Sequence, residues 1–249
     1  MKIDIIEPAI FSKDRIKAGV TKRNLDQFPP FGMTFTSSDK CPAETVQSHI
    51  QTLADHLGVS SHDMKFQNQV HGIRIRKIDN TSIQEESDGM ITNTKEIFLC
   101  VKIADCCAIL VYDPVNEAIG AFHSGWRGTK ENIANSGIKA MTGNFGTDPE
   151  NIFVYLSPCA SGEEYEIGPD VAVYFPKSTT PVGNGKYLFD NRKEILSQLH
   201  DLGVKKEHIE VSPVCTIKNH DFHSYRRDKE NSGRMCAFIS LCSPSVNSS

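Results

Sequence analysis

The sequence predicts an α+β domain rather than a doubly wound parallel sheet. Segments with strand character outnumber those with helical spacing, and the two kinds do not alternate regularly along the chain. No internal repeat or long linker divides the 249 residues. We therefore predict one domain over residues 1–241. A flexible tail is expected over residues 242–249, because it contains Pro244 with three serines beyond it.

Six segments have the length and pattern of strands, with apolar residues that alternate or run continuously. They cover residues 4–11, 97–103, 109–113, 118–123, 152–156 and 235–241. Three further segments have helical spacing, at residues 42–57, 129–141 and 191–202. Their ends carry the expected signals: Pro42 at a first helical position, Thr129 as an N-cap, and Gly203 after a last turn.

Charge and hydropathy argue against several classes of protein. The net charge of −4 and the pI of about 6.1 give no electrostatic basis for binding nucleic acid. No stretch approaches the roughly 18 apolar residues of a membrane helix, and Asp4 and Glu7 interrupt the apolar start that a signal peptide would need. We expect a cytoplasmic protein with reduced cysteines and no nucleic-acid or membrane partner.

Chemically unusual residues concentrate in three stretches, which read QVHG, ADCCA and FHSGWRG at residues 69–72, 104–108 and 122–128. His71, Cys106 and His123 stand at strand ends or turns, where a scaffold can direct side chains into one cleft. Two imidazoles and a thiolate make a catalytic zinc set with a fourth position open. A turn or surface histidine and a buried cysteine are the ordinary alternatives, so spacing alone leaves the metal site open.

The three stretches resemble a bacterial family of multicopper-oxidase-like or laccase-domain proteins. Its members are also described as zinc-dependent purine nucleoside phosphorylases with adenosine deaminase activity. The family's Q-x-H-G, A-D-C and H-x-G-W-R-G motifs appear here in order. Further similarity lies at residues 88–92, 158–168, 215–216, 224–228 and 233–234, so that the resemblance covers residues 15–241.

The resemblance implies a layered α/β/β/α sandwich with mixed sheets. It also implies a metal held by His71, Cys106 and His123, which would be zinc, with copper as the alternative because both metals accept these ligands. This chain departs from the family where Ala108 replaces a proline, and where Glu163 and Glu164 replace a cysteine pair. The second change removes thiols that a multi-copper site would use.

The reaction that the resemblance implies is phosphorolysis of adenosine, inosine or methylthioadenosine. Phosphate displaces the purine from C1′, and arginine suits phosphate because its planar fork forms bidentate hydrogen bonds. Arg127, Arg226 and Arg227 are the candidate phosphate ligands. Asp105, Arg127 and Cys106 are the candidate catalytic residues. Asp105 would serve as a general base or orient a ligand histidine, although capping of a turn fits the sequence equally well.

Deamination of adenosine would use a water whose pKa zinc lowers to about 7. Three alternatives remain open: a copper-dependent polyphenol oxidase, a metal-free hydrolase with Cys106 as nucleophile, and a cysteine or zinc amidase that edits peptidoglycan precursors. The expected partners are purine nucleosides and phosphate. The sequence carries no signal for the oligomeric state.

Overall fold

Two mixed sheets stacked face to face form the centre of the computed structural model, which describes residues 2–243. Strands and helices are numbered in chain order. The first sheet contains, in spatial order, β1 (Ile5–Ile6), β2 (Ile16–Thr21), β14 (Met235–Leu241), β6 (Phe98–Ile103) and β3 (Met64–Lys65). The second contains β13 (Ile209–Val211), β9 (Phe153–Leu156), β7 (Cys107–Asp113), β8 (Ala118–Ser124), β5 (Gly89–Thr92) and β4 (Ile75–Lys77).

A small third sheet and six helices complete the described part of the chain. The third sheet contains β10 (Glu166–Ile167), β12 (Lys186–Phe189) and β11 (Thr179–Gly183). The helices are α1 (Ala43–Leu57), α2 (Trp126–Lys130), α3 (Ile133–Phe145), α4 (Pro169–Ala172), α5 (Asn191–Asp201) and α6 (Tyr225–Asp228).

Both faces of each large sheet are buried, because successive side chains along a strand point to opposite faces. Leu110 and Ile119 of the second sheet belong to the central core together with Val101 of the first. The alternate residues Ile109 and Phe122 pack under α3 and α5. On the far side, Phe98, Cys100 and Phe238 pack under α1. The predicted α+β class and the layered α/β/β/α sandwich with mixed sheets are thereby confirmed.

Five of the six predicted strands form within two residues of their expected bounds. The prediction for residues 4–11 is wrong beyond Ile5–Ile6, since Pro8 has no backbone N–H to donate to a ladder. The helices predicted at 42–57 and 191–202 are confirmed.

The helix predicted to begin at Thr129 is instead divided into α2 and α3. Thr129 lies inside α2, where its hydroxyl donates to Asn191 Oδ1. Asn132 caps α3 in a left-handed conformation with φ of 62°, and its side chain accepts from Asn135 N. A short polar side chain that tolerates positive φ therefore sets the true start.

Residues 244–249 of the predicted tail lie outside the described residues. Within residues 2–243, no helix is long and apolar enough to cross a membrane. All eight cysteines are free thiols.

The contact between α3 and β8 gives a test of the packing. A Cβ at Gly137 would lie 2.4 Å from the ring of Phe122. We expect Gly137→Ala to destabilise the fold by about 1–3 kcal/mol, because the core has no room for the methyl group. Gly143→Ala is the control, since a Cβ there meets nothing within 4 Å on the same helix. It should be neutral or stabilise by up to about 1 kcal/mol. Urea unfolding measures both, and equal effects would contradict the packing.

Candidate metal centre

Three donor side chains from separate segments meet at one end of the central strands of the second sheet. His71 lies in the loop before β4, Cys106 between β6 and β7, and His123 near the end of β8. Their candidate ligand atoms all lie within 4.8 Å of one another. Among residues 2–243 they form the one group of three or more His, Cys, Asp and Glu side chains that could hold a metal ion.

Strand register explains why two of these donors are neighbours. β7 and β8 pair antiparallel, with Cys107 opposite Ser124 and Ala108 opposite His123. Cys106 directly precedes β7, so its thiol emerges beside the His123 imidazole. The ring of His71 meets that of His123 edge to face, with centroids 4.8 Å apart.

Asp88, at the start of β5, organises both histidines through one buried carboxylate. Its Oδ1 accepts hydrogen bonds from His71 N at 2.9 Å and from His123 Nδ1 at 2.8 Å. Its Oδ2 accepts from Val70 N at 3.0 Å and Gly72 N at 2.8 Å. These bonds hold the turn in which His71 adopts a left-handed φ of 61°. Because Nδ1 of His123 donates to Asp88, its Nε2 is the nitrogen available to a metal.

The donor set and the space around it fit a metal ion. Imidazole and thiolate are the ligands that zinc favours, and three of them leave a position open for substrate. A Cβ at Gly125 would lie only 3.0 Å from both Cys106 Sγ and His71 Cδ2. Glycine at this position therefore keeps side-chain atoms away from the donors.

Without a metal, Cys106 and His123 stabilise each other as an ion pair. Burial alone raises the pKa of the Cys106 thiol, but the imidazoles of His123 and then His71 outweigh it and lower the pKa to about 6. Burial lowers the pKa of His123, whereas the Cys106 thiolate and then the Asp88 carboxylate raise it to about 9. At neutral pH the thiol is therefore already deprotonated, as metal ligation requires.

The donors open into a cleft of about 730 Å³ whose walls carry an excess of positive charge. Its cationic side chains are those of Lys102, Arg127, Arg226, Lys229 and Arg234, and its acidic ones those of Asp105 and Glu230. This balance suits an anionic reactant.

All three arginines of the cleft lie over aromatic rings, and the guanidinium of Arg234 is 5.4 Å from the ring centre of Tyr225. The Arg127 guanidinium lies 4.4 Å from the ring centre of Trp126, and that of Arg226 lies 5.2 Å from Tyr165. In the part of the chain that the structure describes, neither Arg127 nor Arg226 forms a salt bridge. Stacking orients a guanidinium while its N–H edge stays available to an anion.

Arg227 is not brought into this cleft. Its guanidinium donates to Asp228 and to the backbone carbonyls of Thr216, Ile217, Asn219 and Phe222. These bonds make Arg227 a cross-link between the 216–222 loop and α6. We therefore retain only Arg127 and Arg226 as candidate phosphate ligands.

Asp105 lines the cleft, but the structure places its carboxylate against protein donors rather than a ligand histidine. Oδ1 accepts from Thr216 Oγ1 at 2.7 Å, and Oδ2 accepts from Arg226 N at 2.6 Å. The histidine-orienting position belongs instead to Asp88.

Sequence reasoning missed Asp88, Lys102 and Arg234 as residues of the site. Lys102 did leave a signal, because it is the one charged residue in the apolar strand FLCVKI. Burial lowers the pKa of its amine. Tyr165 also lines the cleft, and burial raises the pKa of its phenol to about 12. Tyr165 therefore remains a neutral hydrogen-bond donor at physiological pH.

Comparison with known proteins adds to this geometry. The family model described as multi-copper polyphenol oxidoreductase laccase matches residues 17–242. The purine nucleoside phosphorylase YlmD of Bacillus subtilis is 30% identical over 207 residues, which are 76% of this chain and 74% of that protein. A purine nucleoside phosphorylase of Deinococcus radiodurans is 34% identical over 197 residues, again 76% of this chain and 74% of the relative.

Solved structures share the fold. The crystal structure of YlmD from Geobacillus stearothermophilus superposes with a TM-score of 0.87 and 25% identity, covering 95% of this chain and 94% of that one. The Bacillus licheniformis hypothetical protein YfiH gives a TM-score of 0.85 and 27% identity, covering 91% and 92% of the two chains.

The ion pair predicts a pH dependence for thiol alkylation in metal-free protein. Thiolate is the reactive form and its fraction grows with pH, so Cys106 should reach half its maximal rate with iodoacetamide near pH 6 and level off above pH 7. Cys242, whose pKa burial raises, is the internal control and should still accelerate above pH 9. Peptide mass spectrometry measures both thiols in one sample. A Cys106 rate that climbs through pH 8–9 would contradict the ion pair.

Asp88→Asn tests the shared carboxylate. An asparagine offers one acceptor oxygen to four donors, so we expect zinc affinity to fall about 10–100-fold, measured by competition with a chromophoric chelator. Asp113→Asn is the matched control. Asp113 is also buried and accepts several hydrogen bonds, but it lies at the opposite end of β7. Equal affinities in the wild type and Asp88→Asn would rule out the role of Asp88.

Proposed function

Because this chain belongs to the multi-copper polyphenol oxidoreductase laccase family, we propose that it is a zinc-dependent purine nucleoside phosphorylase with adenosine deaminase activity. One observation carries the proposal. His71, Cys106 and His123 converge at a cleft in which the guanidinium groups of Arg127 and Arg226 make no salt bridge with any of residues 2–243. Two anion-binding groups beside a metal donor set suit a reaction in which phosphate is the acceptor. Relatives named purine nucleoside phosphorylase support the same activity.

In phosphorolysis, a phosphate oxygen forms a bond to C1′ of the ribose while the bond from C1′ to the purine nitrogen breaks. The electron pair of the broken bond leaves with the purine, which takes up a proton, and the products are the free base and ribose 1-phosphate. Arg127 and Arg226 bind and orient the phosphate. A zinc ion held by the three donors would supply a Lewis acid for this transfer and would activate water for hydrolytic deamination of adenosine.

Asp88 and Gly125 prepare the centre without contacting substrate. Asp88 orients the His123 imidazole and holds the backbone turn that carries His71, and Gly125 keeps the space beside Cys106 free of side-chain atoms. Tyr165, neutral at physiological pH, presents its phenol in the same cleft. These residues bring the reacting groups together in a defined geometry, which is a large part of what an enzyme contributes to a two-substrate reaction.

Phenol oxidation at copper is the competing function, and the family description names it. A multi-copper centre needs several ligand groups, whereas residues 2–243 contain a single group of this kind. Glu163 and Glu164, at the position of the family's cysteine pair, instead form salt bridges with Lys218. The ligand count therefore favours the phosphorylase. Eight free thiols support a cytoplasmic location, which we also propose.

The direct test is incubation of zinc-loaded protein with adenosine or inosine, with and without phosphate, followed by chromatography of the bases and nucleosides. We expect free base to form only when phosphate is present. Deamination of adenosine to inosine should not require phosphate. His71→Ala and Cys106→Ser should each lower phosphorolysis by about a hundredfold or more, since a lost ligand costs at least as much as a lost ligand partner.

His200→Ala is the matched control, because His200 is exposed at the end of α5. A parallel assay of copper-loaded protein with a phenol tests the oxidase function. Free base released equally with and without phosphate would show a hydrolase. Oxidation of the phenol without nucleoside turnover would favour the oxidase.

A further inference from the structure

On the basis of the phosphorylase function proposed above, we propose that Asp105 is a positioning residue that sets Arg226 in place for phosphate. The carboxylate links three segments that are distant in sequence: the β6–β7 turn, the loop at Thr216, and the first turn of α6. Its acceptor contacts are Thr216 Oγ1 at 2.7 Å and Arg226 N at 2.6 Å.

The Asp105 carboxylate accepts a hydrogen bond from an N–H group that has no acceptor within α6. The first N–H groups of a helix have no partner within the helix. In α6, Ser224 Oγ accepts from Arg227 N at 3.2 Å, and Asp105 accepts from Arg226 N. The cap on Arg226 thus comes from a residue 121 positions away in the chain. The Asp105 carboxylate therefore orients the first turn of α6 and, with it, the Arg226 side chain that lines the cleft.

The adjacent side chains of Arg226 and Arg227 make different contacts. The guanidinium of Arg227 is bound by backbone carbonyls and by Asp228, which anchors α6 to the 216–222 loop. Arg226 is exposed, lies along the cleft and stacks on Tyr165. Asp105 binds the backbone N–H of Arg226, while the guanidinium of Arg227 binds the backbone carbonyls of the 216–222 loop, and both Asp105 and Arg227 contact Thr216.

The backbone of Asp105 is itself strained, as is common where function determines a conformation. Its φ is 79°, in the left-handed region that few residues other than glycine, asparagine and aspartate occupy. Its carbonyl accepts from Ala160 N at 3.0 Å, which holds the turn. Because Cys106 is the next residue, this turn connects the candidate metal ligand to the backbone of Arg226.

Asp105→Asn in zinc-loaded protein tests this role. Asparagine tolerates the left-handed backbone but is neutral, so the oxygen that it can still offer to Arg226 N makes a weaker hydrogen bond than the carboxylate does. We expect zinc content to stay unchanged and the Kd for inorganic phosphate, measured by calorimetry, to rise about tenfold. The KM for phosphate should rise in parallel, and the KM for the nucleoside should change less than about twofold.

Two comparisons separate positioning from general structure. Thr216→Val removes the other hydrogen bond of Asp105 and should leave phosphate affinity within about twofold of the wild type. Adding Asp105→Asn to Arg226→Ala should cause no further loss of phosphate affinity, because Asp105 acts through Arg226. Asp105→Gly, which suits the positive φ and removes both acceptors, replaces Asp105→Asn if that variant folds poorly.

Equal loss of phosphate affinity with and without Arg226 would overturn the proposal. So would loss of zinc in Asp105→Asn, unchanged phosphate affinity, or a wild-type holoenzyme that binds no phosphate. Phosphate binding is measured without turnover. A protein that shows the expected affinities but releases no base therefore refutes the phosphorylase function and leaves the role of Asp105 intact.

Discussion

The site depends on one buried carboxylate that accepts four hydrogen bonds. Asp88 holds the 70–72 turn through three backbone N–H groups and orients His123 through Nδ1. A buried charge is costly unless hydrogen bonds compensate for it. Here all four hydrogen bonds come from the His123 imidazole and from the turn that carries His71. The net result is a lowered pKa for Asp88: burial raises it, but the hydrogen bond from His123 and those from the turn outweigh burial. The carboxylate of Asp88 therefore stays charged across the physiological range.

The sheet makes this arrangement possible, because β5 and β7 both pair with β8. Asp88 reaches His123 from one neighbouring strand, and Cys106 reaches it from the other. Phe122, the residue before His123, is held by α3 on the opposite face of the same strand. The position of the His123 imidazole thus follows from core packing. The cationic groups around it come from other elements, with Lys102 on β6, Arg127 on α2 and Arg226 on α6.

Apolar periodicity is a local signal and predicts most strands of the sequence. The short motifs predict the α/β/β/α layers and the three candidate donors through the family that they resemble. The sequence was insufficient where the contacts of a residue depend on segments that are distant along the chain. Arg226 and Arg227 are adjacent and chemically identical in the sequence, yet only the course of α6 shows that one faces the cleft and the other binds carbonyls. The role of Asp88 depends on strand order, which periodicity does not encode. Thr129 had a good N-cap residue type, but Asn132 takes the positive φ at the true helix start.

The donors and the Arg226 segment occupy different parts of the chain. His71, Cys106 and His123 lie in the first half, whereas Arg226 lies near the end and is connected to them through Asp105. Substitutions in the later segment can therefore alter the cationic lining of the cleft while His71, Cys106 and His123 stay unchanged.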